Sequence, residues 1–138
     1  MLVEKIMNKH VITVKPDTSF LEAMQIMADN HIGCVVVAKG GKPVGMLTER
    51  DVLVAIASEE IKDLKKTKVR AVMTHYVINI GPKRPIIKAA MLMNENKIKK
   101  LPVVDGKGRL VGIITASDII SAQPKAVKHV KHLISFRI

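Results

Sequence analysis

The sequence of 138 residues is poor in aromatic side chains, with no Trp, one Tyr and two Phe. Because hydrophobic residues still make up 48% of the chain, a core can form, and it must be built from aliphatic side chains. Proteins that bind single-stranded nucleic acid stack bases on aromatic rings, and this chain has few such rings to offer. The composition therefore indicates a folded aliphatic domain and excludes general disorder.

Cysteine and long apolar runs are also scarce. Cys34 is the single cysteine, which excludes an intrachain disulfide framework and a multi-cysteine zinc site. The longest apolar runs, such as residues 34–38, are far shorter than the about 20 residues that span a bilayer. His and acidic residues show no metal-ligand spacing. We expect no membrane span, no metal site and a cytoplasmic location.

Charge of one sign dominates, with 23 Lys and Arg against 12 Asp and Glu and a formal net charge of +11. A surface this positive attracts phosphate groups, whether they belong to a small nucleotide, a nucleic acid or an anionic membrane. The charge balance alone leaves these three partners open.

An internal repeat organises the chain. Residues 3–7 (VEKIM) align with residues 69–73 (VRAVM), and further identities follow in order until one residue is inserted in the second Gly-rich turn. Beyond that turn, the string Gly45-x-x-Thr48-x-x-Asp51 matches Gly112-x-x-Thr115-x-x-Asp118. So many matches in register indicate a duplicated unit.

Each repeat is predicted to read β-α-β-β-α, an α/β (α+β) fold. The predicted domains are repeat 1 (1–58), a charged linker (59–68), repeat 2 (69–122) and a basic, helical C-terminal extension (123–138). A unit of this size buries too little apolar surface to be stable alone. We therefore expect the repeats to pack sheet to sheet with pseudo-two-fold symmetry, and a ligand to bind in a cleft between them.

Two chemical interpretations remain open for the repeated Thr-x-x-Asp strings. Each string is typical of a helix N-terminus, where the hydroxyl and the carboxylate satisfy first-turn N–H groups. A carboxylate that is also reachable by a ligand can accept hydrogen bonds from hydroxyl groups. No nucleophile–base set and no phosphate-binding Gly loop is evident, so we expect no catalysis and no catalytic cofactor.

With these motifs in view, the chain resembles a tandem pair of CBS domains, a Bateman module, over residues 3–122. The resemblance implies a regulatory, energy-sensing module that binds an adenine nucleotide (AMP, ADP or ATP), forms a homodimer and acts on a separate regulated protein. Two alternatives stay open. One keeps the fold and binds S-adenosylmethionine or methylthioadenosine, and the other is a basic nucleic-acid-binding protein.

The resemblance also implies two ligand sites, the first built on Asp51 and the second on Asp118. The residues expected at the ribose are Thr48, Asp51, Thr115 and Asp118. Those expected around the base are Ile78, Asn79, Ile98 and Pro102 in the first site, and Ile12, Thr13, Ile32 and Cys34 in the second. Those expected at the phosphates are Lys99 and Lys100 in the first site, and Arg50 in the second, where Gly33-Cys34 replaces the basic pair.

Overall fold

The structure, a computed structural model, describes residues 1–75 and 77–124. Its elements in chain order are α1 (Val3–Ile6), β1 (Thr13–Val14), α2 (Phe20–Asp29), β2 (Cys34–Lys39), β3 (Lys42–Thr48), α3 (Glu49–Ala57), a 3₁₀ helix (Val69–Ala71), α4 (Ile86–Asn96), β4 (Lys100–Val104), β5 (Leu110–Thr115) and α5 (Ala116–Ala122). Apart from residues 123 and 124, the predicted C-terminal extension lies outside the described residues. Over the described ranges, no helix has the length and apolar character that crossing a membrane requires.

These elements form two compact units. The β1–β3 unit consists of Ile12–Val77, and the β4–β5 unit combines Met1–Val11 with the described residues from Ile78 to Pro124. Each unit therefore contains one Thr-x-x-Asp string.

The β1–β3 unit is built on a three-stranded sheet in which β1 runs parallel to β2 and β2 antiparallel to β3. Gly40 and Gly41 both have positive φ, 60° and 78°, which a tight turn between twisted strands requires. These two glycines close the hairpin between β2 and β3. Residues 34–37 of β2 are buried without interruption, as the continuous apolar run predicts for a strand covered on both faces.

Helix α2 covers this sheet because its apolar residues recur at helical spacing. Phe20, Ala23 and Met27 are buried against β2 and β3 side chains in one core cluster. The Oγ of Ser19 accepts a hydrogen bond of 3.1 Å from the Glu22 N–H, so Ser19 is the N-cap of α2.

The β4–β5 unit repeats the plan with one difference. Strands β4 and β5 form an antiparallel pair. The first strand of the predicted β-α-β-β-α order is reduced to a single parallel bridge between Ile80 and Val103. In the β1–β3 unit, the Val36 N–H donates to the Ile12 carbonyl. Pro102 holds the matching position in β4 and has no N–H to donate, so the second ladder loses that hydrogen bond.

The compact units do not coincide with the sequence repeats, because the first residues of each repeat pack in the core of the other unit. Val3 of α1 is fully buried in the core cluster of the β4–β5 unit. Val69 is fully buried in the core cluster of the β1–β3 unit, where its N–H donates to the Thr18 carbonyl over 2.8 Å. The charged segment 59–68 packs within this same unit, since the carbonyl of Thr67 accepts a hydrogen bond of 2.8 Å from the Phe20 N–H.

Candidate functional site

The Thr48-x-x-Asp51 string forms a complete capping box at the start of α3. The Thr48 N–H donates to Oδ2 of Asp51 over 2.9 Å, and the Asp51 N–H donates to Oγ1 of Thr48 over 3.1 Å. The carboxylate therefore satisfies a backbone donor at the N-terminus of the helix, where negative charge is also favourable.

The second string has the same geometry at the start of α5. The Thr115 N–H donates to Oδ2 of Asp118 over 3.0 Å, and the Asp118 N–H donates to Oγ1 of Thr115 over 3.1 Å. The capping interpretation of both strings is thus confirmed. A carboxylate has about four acceptor positions, so one backbone hydrogen bond leaves most of its capacity available to a ligand.

The glycine of each motif lets another segment of the chain approach closely. A Cβ on Gly45 would lie 2.5 Å from Sδ of Met73 and 2.8 Å from the Thr74 carbonyl oxygen. A Cβ on Gly112 would lie 2.6 Å from Sδ of Met7. The sequence shows the matching methionines as part of the repeat, but only the structure shows that each packs on a motif glycine.

Thr74 contacts the first carboxylate, a role that the sequence analysis missed. Its exposed hydroxyl donates to the Asp51 carboxylate, 3.2 Å from Oδ1 and 3.3 Å from Oδ2. The backbone of Thr74 is held by two hydrogen bonds to Met46, of 2.8 and 3.0 Å. No local pattern in the sequence indicates this contact, because Thr74 and Asp51 are 23 positions apart.

Strand pairing determines which predicted site residues lie beside each threonine. Cys34 is directly opposite Thr48 on β2 and β3, and Lys100 is directly opposite Thr115 on β4 and β5. Directly opposite residues project from the same face of an antiparallel pair. Cys34 is buried, with 8% of its surface exposed, as its apolar run predicts.

The other predicted site residues are distributed over both units. In the β1–β3 unit, Ile12 and Ile32 are half-buried and Thr13 is exposed. In the β4–β5 unit, Asn79 is exposed, and the predicted base and phosphate residues that are buried or half-buried are Ile78, Ile98, Lys99, Lys100 and Pro102. Arg50 is exposed in the first turn of α3.

Each unit by itself therefore holds a Thr-x-x-Asp string together with one predicted set of base-contacting residues. Asp51 shares its unit with Ile12, Thr13, Ile32 and Cys34, whereas Asp118 shares its unit with Ile78, Asn79, Ile98 and Pro102. The sequence-based grouping pairs each carboxylate with the set of the other unit, and that pairing stays a prediction. The ligand roles of all these residues stay predictions.

Each half of this duplicated α+β chain contains a Gly-containing strand that is followed by a capping box. A comparison with known protein families agrees with this duplicated arrangement. The family model of the CBS domain matches residues 3–58 and 69–125. The chain belongs to the CBS domain family, which confirms the resemblance and the fold class.

Individual relatives agree with this assignment. An uncharacterized protein of Methanocaldococcus jannaschii is 35% identical, over 88% of this chain and 90% of its own length. Inosine-5′-monophosphate dehydrogenase of Thermoplasma acidophilum is 38% identical over 87% of this chain, but the match covers only 23% of that enzyme.

Among solved structures, one similar fold is the crystal structure of a CBS domain pair in complex with 5′-methylthioadenosine and S-adenosyl-L-methionine. Its TM-score is 0.80 at 31% identity, and the match covers 91% of this chain and 97% of that one. Both of its ligands contain adenosine.

Proposed function

We propose that this chain is a non-catalytic regulatory module that binds an adenine nucleotide, AMP, ADP or ATP. The observation that carries the proposal is the pair of capping boxes, each of which holds a half-buried Asp carboxylate at a helix N-terminus. The similar CBS domain pair that holds two adenosine compounds supports an adenosine-containing ligand.

The chemistry of these carboxylates suits a ribose. A fixed carboxylate can accept hydrogen bonds from both hydroxyls of a cis-diol, and such charge-assisted bonds are stronger than neutral ones. The predicted base-contacting residues, such as Ile12 and Ile78, would give the purine an apolar surface. The net charge of +11 would attract the phosphates.

The decisive experiment is calorimetric titration of AMP into the wild-type protein and the double variant Asp51→Asn/Asp118→Asn. An Asn Oδ1 can still accept the cap hydrogen bond, so the helices keep their N-caps while the charge is lost. A hydrogen bond to a charged group is worth about 1.5–3 kcal/mol, so we expect affinity to fall about tenfold to hundredfold.

The matched control is Asp105→Asn, which removes a carboxylate that also accepts backbone hydrogen bonds but lies in a turn outside both motifs. Its affinity for AMP is expected to equal that of wild type. Deoxyadenosine monophosphate, which lacks one diol hydroxyl, should bind the wild-type protein more weakly than AMP. Unchanged AMP affinity in the double Asn variant, or no binding to wild type, would refute the proposed ribose contact.

A second candidate ligand is S-adenosylmethionine or methylthioadenosine, which the similar CBS domain pair contains. Phosphate dependence separates the candidates. The double variant Lys99→Ala/Lys100→Ala should weaken AMP binding if phosphates are held there, with Lys107→Ala, an exposed lysine of the same unit, as control. Equal AMP affinity in both variants, together with tighter binding of S-adenosylmethionine than of AMP, would favour the phosphate-free ligands.

The regulatory part of the proposal requires that the ligand bind two states of the module with different affinities. We expect the module to work as a homodimer that acts on a separate protein. Exposed apolar side chains on α3 support pairing with a second copy, since Leu53 and Val54 are 70% and 58% exposed. RNA binding that survives in the Asp51→Asn/Asp118→Asn variant and is lost steeply with salt would favour nucleic acid instead.

A further inference from the structure

The two capping boxes differ in what faces the carboxylate. Asp51 accepts the Thr48 N–H and, in addition, the hydroxyl of Thr74. Asp118 accepts the Thr115 N–H through Oδ2, and within residues 1–75 and 77–124 no second donor reaches its carboxylate. The Asp51 carboxylate is therefore more fully occupied before any ligand arrives.

The difference lies in a single side chain, because the backbone around it is the same in both units. The backbones of Thr74 and Met46 exchange two hydrogen bonds in an antiparallel bridge. The backbones of Asn8 and Ile113 form the equivalent bridge, with hydrogen bonds of 2.8 and 2.9 Å. The Asn8 side chain instead accepts the His10 N–H through Oδ1 at 2.9 Å. The Asn8 side chain thus stabilises a local turn and donates no hydrogen bond to the Asp118 carboxylate.

A diol that binds Asp51 shares the two carboxylate oxygens with the Thr74 hydroxyl, so fewer acceptor positions are open to it than at Asp118. Where the diol displaces that exposed hydroxyl, the hydroxyl exchanges a charged acceptor for water, which costs part of the binding energy. A diol that binds Asp118 donates to carboxylate oxygens that have open acceptor positions. Within the residues that the structure describes, it displaces no donor of the protein.

We infer that the two sites are inequivalent: the Asp118 site binds an adenosine ligand more tightly, and Thr74 is the residue that weakens the Asp51 site. This inference rests on the proposed function. Removing the Thr74 hydroxyl frees the Asp51 carboxylate and raises the affinity of that site alone.

The experiment measures each site separately by calorimetry with adenosine and with AMP. Asp118→Asn leaves the Asp51 site as the remaining carboxylate site, and Asp51→Asn leaves the Asp118 site. We expect tighter binding in the Asp51→Asn protein. Adding Thr74→Val, which keeps the branched shape and the backbone bridge, should tighten binding about threefold to tenfold in the Asp118→Asn background and leave the Asp51→Asn background unchanged.

The reciprocal variant Asn8→Thr introduces a hydroxyl at the equivalent position and should weaken binding in the Asp51→Asn background. A gain of affinity confined to one site cannot come from a loss of structure, so Thr74→Val separates a specific role from a structural one. Equal affinity of the two single-site proteins, or no gain from Thr74→Val, would overturn the inference while leaving the proposed function intact. Absence of binding to the wild-type protein would overturn both.

Discussion

The close approach at Gly45 makes a sharp prediction about stability. Substitution by Ala places a Cβ 2.5 Å from Sδ of Met73 and 2.8 Å from the Thr74 carbonyl oxygen, both well inside van der Waals contact. The methionine can rotate away, but the carbonyl cannot retreat freely, because it accepts a 3.0 Å hydrogen bond from the Met46 N–H. Relief of the clash therefore requires breaking the bridge that holds residues 73–74 on β3.

The magnitude follows from these contacts. Overpacking in a tight site costs about 1–3 kcal/mol, and a broken backbone hydrogen bond adds about 1 kcal/mol. We expect Gly45→Ala to lower the free energy of unfolding by about 3 kcal/mol. At Gly112 the nearest atoms are Sδ and Cγ of Met7, and the backbone oxygen of Asn8 is 3.1 Å away, so Gly112→Ala should cost only about 1–2 kcal/mol.

Urea unfolding followed by far-ultraviolet circular dichroism measures these changes, because a chain without Trp offers little intrinsic fluorescence. Gly106→Ala is the matched control: a Cβ there would meet no atom within 4 Å, so its effect should stay within about 1 kcal/mol of zero. With a slope of about 2 kcal/mol/M, Gly45→Ala should shift the midpoint by about 1.5 M. A Gly45→Ala protein as stable as Gly106→Ala would refute the steric argument.

Two further predictions concern pH and assembly. Backbone N–H groups of Arg109 and Lys107 donate to the Asp105 carboxylate and lower its pKa from the ordinary value of 3.8. The stability it contributes is thus present above that value and lost as pH falls through the lower folded pKa. Asp105→Asn should lower the urea midpoint at pH 7 but not at about pH 2, and an equal loss at both would contradict this. Light scattering should give wild type twice the monomer mass, and Leu53→Glu should give a monomer while Gln25→Glu on α2 stays dimeric. A dimeric Leu53→Glu protein would argue against pairing through α3.

Much of the fold was predictable because the deciding signals are local. Ser19, Thr48 and Thr115 mark helix starts through hydrogen bonds to residues three positions away, and such short-range patterns are legible in a sequence. Gly40-Gly41 likewise specifies a tight hairpin. The repeated motif was sufficient to identify the family, since its two copies occur in register.

The first strand of the second repeat shows where local patterns are insufficient. Residues 77–80 have the composition of a strand, but pairing also depends on whether the neighbour can donate hydrogen bonds. Pro102 has no N–H to donate, and among residues 77–80 only Ile80 forms a bridge. That outcome depends on a residue more than twenty positions away in the chain, which a local pattern does not report.

The candidate site divides in the same way. The sequence by itself determined the two Thr-x-x-Asp caps, the aliphatic core and the positive charge, because these depend on residue type and short spacing. Only the tertiary structure decided that residues 1–11 join the second repeat and 69–77 the first, that motif glycines admit Met7 and Met73, and that Thr74 donates to Asp51. Each of these results from long-range packing, in which the partner is selected by shape and hydrogen bonding across the fold and not by distance along the chain.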